Sequence, residues 1–162
     1  MSAPSHSSGS AGPQNVLLVA SSGGHLAQLL VLRPWWTSRS RAWVTFDLPD
    51  AVSQLNGERL YAAAHPTTRN IPNLLRNAIL GLRVLHQEKP DLIVSTGAGV
   101  AVPFFVLGRA LGIPTVYVEV YDRVNSATLT GRMCRPFTTL FLVQWESQLS
   151  LYRGSVLLGR LL

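Results

Sequence analysis

Short apolar runs and helical patterns alternate along most of the chain. The apolar runs are continuous, which indicates strands buried on both faces of a sheet. The predicted strands are Val16–Ala20, Ala42–Phe46, Arg59–Ala63, Leu92–Ser95, Thr115–Glu119, Thr139–Val143 and Ser155–Leu158. The predicted helices are Gly24–Leu32, Ile71–Gln87, Val100–Leu111 and Thr128–Cys134. Strands that alternate with helices predict an α/β fold with a Rossmann-like, doubly wound parallel sheet.

The longest predicted helix is amphipathic. The residues expected to face the core are Ile71, Leu74, Leu75, Ala78, Ile79, Leu82 and Leu85. The opposite face places Leu80 beside Arg76 and Arg83, and apolar residues beside arginines suit an anionic membrane surface. Trp35 and Trp36 lie among arginines and have the same character, because tryptophan favours the bilayer interface. Scattered surface apolar residues are the alternative for both segments.

Length and composition indicate one domain preceded by a tail. Of the 162 residues, 1–14 are rich in Ser, Gly and Pro and predict a disordered tail, and 15–162 form a single domain. The tail lacks the apolar core of a signal peptide, and no apolar run reaches the roughly 20 residues that span a bilayer. We therefore expect a cytoplasmic protein. The single cysteine, Cys134, excludes an internal disulfide and a cysteine-based metal cluster.

The net charge of +6 comes almost entirely from arginine, since Lys89 is the only lysine. Arginine suits phosphates and carboxylates, so a basic surface indicates nucleic acid, anionic lipid or an anionic substrate. The sequence has no basic helix, zinc-ligand spacing or basic–aromatic interleaving of the kind that nucleic-acid modules use. Anionic lipid and anionic substrate are therefore favoured over nucleic acid.

Two glycine-rich turns each follow a predicted strand and open a helix. The first consists of Ser21, Ser22, Gly23, Gly24 and His25, and the second of Thr96, Gly97, Ala98 and Gly99. A helix N-terminus offers free N–H groups and a partial positive charge, which suits a phosphate or diphosphate. Neither turn has a P-loop lysine or the full G-x-G-x-x-G spacing, so neither ATP nor a dinucleotide is favoured. Plain strand–helix turns remain the alternative.

The main acid–base candidates are His25, Glu119 and Asp122. Glu119 ends a predicted buried strand, so its carboxylate faces either the ligand crevice at that edge of the sheet or a structural ion pair. Arg123 and Arg69 are the expected partners of such a pair. No two histidines have metal-ligand spacing, and no metal is expected.

Five segments, taken in order, resemble a known family: SSGGHL, RNIPNLLRN, KPDLIVSTGAGVAVPFF, VEVYDRVNSATLTGR and LFLVQWE. They resemble the acceptor-binding, membrane-associating subunit of two-component UDP-sugar glycosyltransferases. This family includes a subunit of the dolichol-pathway N-acetylglucosaminyltransferase and bacterial members that serve capsule and exopolysaccharide assembly. The resemblance runs from about Asn15 to the C-terminus. It favours the bacterial branch, because the eukaryotic subunit usually carries an N-terminal transmembrane anchor.

The resemblance implies the fold of the N-terminal half of a GT-B glycosyltransferase, with no cofactor and no metal. It implies a UDP-sugar-dependent transferase that is inactive or weakly active alone. A separate donor-binding subunit would hold most of the UDP-sugar. The acceptor would be a sugar on a polyprenyl diphosphate at the cytoplasmic face of the cell membrane, where the chain would bind as a peripheral protein.

The resemblance also implies roles for single residues. His25 would be the general base, and Glu119 would orient an acceptor hydroxyl or substitute as base. The two glycine-rich turns would hold the lipid diphosphate, and Arg69 and Arg123 would contact phosphate or bind Glu119.

The donor-binding subunit is expected to dock on exposed apolar surface near Val143–Leu151 and Val156–Leu162. The alternative for that surface is a last strand and a terminal helix that pack on this domain's own core. Two other functions remain open. One is a non-catalytic recruiter or activator of a partner glycosyltransferase. The other is a nucleotide-binding α/β protein, which the incomplete motifs disfavour.

Overall fold

The computed structural model describes residues 12–161. The strands are β1 (Asn15–Val19), β2 (Ser40–Phe46), β3 (Leu60–Ala63), β4 (Leu92–Ser95), β5 (Thr115–Val118), β6 (Leu140–Val143) and β7 (Val156–Leu157). The helices are α1 (Gly24–Val31), α2 (Arg33–Trp36), α3 (Pro49–Gln54), α4 (Ile71–Glu88), α5 (Ala101–Ala110), α6 (Leu129–Cys134) and α7 (Glu146–Leu149), with a 3₁₀ turn at Arg135–Phe137. Residues 1–11 of the predicted tail lie outside the described residues.

All seven strands are parallel and form one sheet in the order β3-β2-β1-β4-β5-β6-β7. This arrangement confirms the predicted doubly wound α/β fold. Every predicted strand is present, with ends that differ by two residues at most. The strand order reverses between β1 and β4, and such a switch point opens a crevice at the carboxyl ends of the strands.

Helices cover both faces of the sheet. Leu17 and Val19 of β1 pack in the layer that contains α4, α5 and α6. Val16 and Leu18 pack on the other side, against α1, α2 and α3. Alternate residues of one continuous apolar strand thus fill two cores, as the sequence pattern predicts for a strand buried on both faces.

The predicted core face of α4 is wrong for its most apolar residues. Ile71 and Ile79 are 69% exposed, Leu75 is 60% exposed and Leu82 is 53% exposed. These four residues form one stripe along the helix, which we call the α4 apolar face. Leu85 is buried and Leu74 packs against the core as predicted, so the helix is rotated by about a third of a turn from the orientation that its hydrophobic periodicity predicts.

Polar and small residues explain this rotation. Asn77 donates its side-chain N–H to the carbonyl of Ala64 at 2.9 Å and accepts the Ala64 N–H at 2.7 Å. Asn73 donates to the carbonyl of Pro66 at 2.9 Å. A Cβ on Gly81 would lie 2.9 Å from a leucine of α5, so the glycine permits close helix packing. Hydrogen bonds from asparagine side chains and close packing at the glycine thus stabilise the buried face, instead of large apolar side chains.

One predicted membrane contact, Trp36, is wrong because its side chain is buried, and a second, Leu80, is only partly exposed. Trp36 is 3% exposed and donates its indole N–H to a carbonyl of α1 at 2.8 Å, and Leu80 packs against the core. Trp35 is half-buried beneath an arginine guanidinium 4.6 Å from its ring. Arg76 and Arg83 are exposed as expected. Within residues 12–161, no helix is long and apolar enough to cross a bilayer.

Candidate functional site

A cavity of about 560 Å³ lies at the carboxyl edge of the sheet. The loops after β1, β4 and β5 all contribute to it, as the sequence analysis expects. The residues that line it are Ser21, Ser22, His25, Phe46, Leu48, His65, Pro66, Thr67, Thr68, Ala98, Gly99, Tyr117, Val120, Asp122, Arg123, Thr128 and Thr130. Hydroxyl groups, two imidazoles and one guanidinium give this cavity a largely polar wall.

The two glycine-rich turns are joined directly by His25 and Thr96. The Nδ1 atom of His25 lies 2.7 Å from the carbonyl oxygen of Thr96. In return, the Thr96 hydroxyl donates to the carbonyl of His25 at 2.6 Å. This reciprocal pair holds the start of α1 against the loop after β4, across the switch point of the sheet.

This contact also fixes the tautomer of His25. A carbonyl oxygen can only accept a hydrogen bond, so Nδ1 carries the proton. In the neutral imidazole, Nε2 is then the free base. His25 is half-buried in the cavity wall, and the chain therefore presents an oriented imidazole base there.

The second turn divides into a supporting half and a lining half. Thr96 and Gly97 are buried behind the wall, whereas Ala98 and Gly99 line the cavity. Gly97 has a φ of 113°, and a Cβ there would lie 3.0 Å from Cε1 of His25. Only glycine fits this close approach. The sequence predicts that Thr96 and Gly97 contact the ligand, but in the structure they lie behind His25 and hold it in place.

The first turn already holds a carboxylate at the start of α1. The backbone N–H of Gly23 donates to Oδ2 of Asp50 at 3.1 Å. Gly23 and Gly24 are exposed, and Ser21 and Ser22 line the cavity. The helix terminus therefore attracts an anionic group, as its N–H groups and dipole require. In this structure that group is an aspartate of α3.

Glu119 is a structural residue and not a wall residue. Its carboxylate is 0% exposed and accepts hydrogen bonds from the Tyr152 hydroxyl, from Oγ1 of Thr128 at 3.0 Å and from the Val120 N–H at 3.0 Å. Burial, followed by the neighbouring carboxylate, raises the pKa of the Tyr152 hydroxyl, which keeps it a donor. The prediction that Glu119 orients substrate or acts as base is wrong, because the cavity does not reach it.

The predicted arginine partners of Glu119 are also wrong. The two ion pairs within residues 12–161 are Arg41–Glu58 and Arg59–Glu88. Arg123 and Asp122 instead line the cavity on the loop after β5. Arg69 is exposed, stands outside the lining residues and has a φ of 51°. Arg123 remains available for a phosphate, whereas Arg69 has no contact with the cavity in this structure.

The segment between β3 and α4 is the part of the wall that the sequence analysis missed. It contributes His65, Thr67 and Thr68, and the His65 ring lies 5.2 Å from that of Phe46. The signal was topological: the loop after β3 emerges at the same edge as the glycine-rich turns. The buried asparagines of α4 hold this segment in place through its backbone.

Apolar residues are exposed at the β7 edge of the sheet, in the two segments where the sequence analysis expects partner docking. They are Leu149, Leu151, Val156, Leu157 and Leu158. Val143 is buried, and Leu162 lies outside the described residues. Strand β7 is the edge strand, so one side of it has no neighbouring strand within the described chain. Such an edge is open to pairing with another chain.

Solved structures share this fold. MurG from Acinetobacter baumannii superposes with a TM-score of 0.70 at 19% identity, over 83% of this chain and 43% of MurG. UDP-N-acetylglucosamine 2-epimerase from Rickettsia bellii superposes with a TM-score of 0.70 at 11% identity, over 92% of this chain and 45% of the epimerase. The chain thus spans less than half the length of these enzymes, and the likeness confirms its fold class.

Sequence comparison gives the family. The UDP-N-acetylglucosamine transferase subunit ALG14 of Homo sapiens is 28% identical over 91% of this chain and 82% of its own length. The subunit of the same name from Schizosaccharomyces pombe is 37% identical over 43% of this chain and 36% of its length. The family model described as "Oligosaccharide biosynthesis protein Alg14 like" matches residues 51–161. The chain therefore belongs to the Alg14-like family of oligosaccharide biosynthesis proteins.

Proposed function

We propose that this chain is the acceptor-binding subunit of a two-component UDP-sugar glycosyltransferase and that it supplies the general base. The observation that carries the proposal is the contact between His25 Nδ1 and the Thr96 carbonyl at 2.7 Å, in the wall of the cavity at the carboxyl edge of the sheet. It gives an imidazole with a defined basic nitrogen. The names of the relatives favour N-acetylglucosamine as the transferred sugar.

In the proposed reaction, an acceptor hydroxyl attacks the anomeric carbon of the UDP-sugar. The new bond forms between the hydroxyl oxygen and that carbon, while the bond from the carbon to the UDP oxygen breaks. The electron pair of the broken bond leaves with UDP, which the partner subunit holds. The hydroxyl proton moves to Nε2 of His25, and Thr96 stabilises the resulting imidazolium through Nδ1–H.

The acceptor in this proposal is a sugar linked to a polyprenyl diphosphate. Ser21, Ser22 and Arg123 line the cavity and offer donors for phosphate oxygens. The backbone N–H groups at the start of α1 add further donors. Asp50 occupies the Gly23 N–H, so a diphosphate at α1 displaces this carboxylate or binds beside it.

A lipid-linked acceptor requires contact with a membrane, and we propose that the α4 apolar face makes it. This face exposes two isoleucines and two leucines, with Arg76 and Arg83 on the same helix. Leu129 and Met133 of α6 are also exposed in this layer of helices. An exposed apolar stripe beside arginines fits the headgroup region of an anionic bilayer. We place this contact on the cytoplasmic face of the membrane as a peripheral one.

The exposed β7 edge is the proposed docking surface for the donor-binding subunit. The likeness to longer enzymes such as MurG supports a second unit that completes the transferase. We expect the chain alone to be inactive or weakly active. Membership of a bacterial capsule or exopolysaccharide pathway stays a prediction of the sequence analysis.

Filling the cavity tests acceptor binding. Thr68 is exposed and lines the cavity, so Thr68→Trp obstructs it without disturbing the core. Ser53→Trp is the matched control on the exposed side of α3. The assay measures transfer from UDP-N-acetylglucosamine to membranes bearing the lipid-linked acceptor, for the chain alone, the co-expressed donor-binding subunit alone, and the pair.

A shared active site predicts activity only in the pair, a higher acceptor KM with Thr68→Trp and an unchanged KM with Ser53→Trp. The alternative function, a non-catalytic recruiter, predicts full activity in the variant pair once the partner is on the membrane. Full activity of the partner alone would also reject the shared site.

A further inference from the structure

Three glutamines are buried between the cavity and residues 158–161, which we call the C-terminal segment. Gln28 lies on α1, Gln144 follows β6 and Gln148 lies on α7. Long polar side chains are rarely this deeply buried unless they are fully hydrogen-bonded. Each of the three amides has a partner for both its oxygen and its nitrogen.

One series of hydrogen bonds leads from the C-terminal segment to the glycine-rich turn that contains His25. The backbone N–H of Leu161 donates to Oε1 of Gln144 at 2.9 Å. Nε2 of Gln144 donates to Oε1 of Gln28 at 2.6 Å. Nε2 of Gln28 donates to the carbonyl of Gly24 at 3.3 Å, directly before His25. We call this series the glutamine relay.

A branch of the relay holds the loop after β5. Nε2 of Gln144 also donates to the carbonyl of Glu119 at 2.9 Å. Gln148 donates to the carbonyls of Val120 at 3.1 Å and Arg123 at 3.0 Å, both of which line the cavity. The oxygen of Gln148 accepts the backbone N–H of Gln144 at 2.9 Å. Two cavity loops and the C-terminal segment therefore share one buried polar network.

The direction of these bonds makes the relay sensitive to its terminal contact. The Leu161 N–H requires an oxygen opposite it and the Glu119 carbonyl requires an N–H, and these two contacts together fix which end of the Gln144 amide faces Gln28. A rotated amide would place an N–H against the Leu161 N–H and an oxygen against the Gln28 oxygen. Unmade bonds of this kind are costly in a buried site, so the relay has one preferred state while Leu161 is in place.

We propose that Gln144 and Gln28 are positioning residues that couple the C-terminal segment to the Gly-Gly-His turn. The C-terminal segment adjoins the exposed β7 edge, so an occupant of that edge acts on His25 through the relay. This inference rests on the proposed function for its catalytic meaning. The coupling itself is a property of this chain and can be measured without a partner.

Leu161→Pro breaks the relay at its end, because proline has no N–H to donate. Leu161→Ala is the matched control, since it shortens the side chain but keeps the N–H. The measurement is the amide resonance of Gly24 and the ring resonances of His25 in NMR spectra of the full chain. We expect Leu161→Pro to shift both sets of resonances and Leu161→Ala to leave them near their wild-type positions.

Gln28→Met removes the middle of the relay with a side chain of similar length. In that background we expect Leu161→Pro to have no further effect on Gly24 or His25. In the assembled pair, Leu161→Pro should lower kcat about fivefold relative to Leu161→Ala, the factor that corresponds to one ordinary hydrogen bond. The acceptor KM should not change, because the residues that contact the acceptor remain.

Unshifted His25 and Gly24 resonances in Leu161→Pro would overturn the proposal, even if Gln28→Met does not fold. Equal shifts in the presence and absence of Gln28 would also overturn it, since the signal would then bypass the relay. Coupled shifts together with full activity of His25→Ala would reject the proposed function and leave the coupling standing.

Discussion

The α4 apolar face gives a quantitative prediction about membrane binding. Ile71 and Ile79 are each 69% exposed, and full burial of such a side chain contributes roughly 1.5–3 kcal/mol. Burying the exposed part in a bilayer interface is therefore worth about 1.4 kcal/mol for each isoleucine. The double variant Ile71→Ser with Ile79→Ser should lose about 3 kcal/mol, which weakens vesicle binding about a hundredfold.

The assay is co-flotation with vesicles of phosphatidylcholine mixed with phosphatidylglycerol. Val52→Ser is the control, because Val52 is 45% exposed on α3, in the helix layer on the opposite side of the sheet. Thermal unfolding should stay close to wild type for all variants, since the replaced side chains are exposed. Arg76→Ala with Arg83→Ala should weaken binding to these vesicles and not to pure phosphatidylcholine. Wild-type binding by the double serine variant, or an equal loss with Val52→Ser, would refute the reasoning.

Three further predictions concern the site and the fold. Gly97→Ala should destabilise the chain more than Gly112→Ala and should also lower kcat, because both glycines have positive φ but only Gly97 lies against His25; equal unfolding free energies in denaturant would contradict this. Burial raises the pKa of Cys134 to about 12, so its thiol should react with Ellman's reagent at mildly alkaline pH only after unfolding, and rapid reaction of the native protein would contradict its burial. Partial burial raises the pKa of Glu58, but hydrogen bonds from Arg41 and Trp43 lower it by more, so the net shift is downward. The ionised carboxylate therefore stabilises the fold, and this stabilisation should be lost as the pH falls. The difference in unfolding free energy between wild type and Glu58→Gln should shrink between about pH 7 and about pH 3, and a constant difference would contradict this.

The fold could be predicted because its signals are local. Continuous apolar runs such as Leu92–Ser95 indicate strands buried on both faces, and the structure has a strand with these bounds. Glycine-rich turns after two strands placed His25 and Ala98 at one edge of the sheet, and both line the cavity. The two turns lie close together because a parallel, doubly wound sheet places the carboxyl ends of its strands at one edge.

The orientation of α4 and the role of Glu119 could not be predicted, because both depend on partners distant in sequence. Hydrophobic periodicity assigns the apolar stripe to the core, whereas Asn77 is buried by its bonds to the backbone of Ala64. The sequence places Glu119 either in the crevice or in an ion pair, whereas its carboxylate accepts a hydrogen bond from Tyr152, 33 residues away. Hydrogen-bond networks of this kind leave no periodic trace in the sequence.

The most direct test of the proposed function is kcat of the assembled pair with His25→Ala. An oriented general base contributes typically about 10²–10⁴-fold, so the variant should lose activity by a factor in that range. The Kd between the subunits and the acceptor KM should stay near wild type, because His25 lies away from the β7 edge and its removal does not close the cavity. A variant pair that retains most of the wild-type kcat would contradict the account and would leave this chain as a recruiter of its partner.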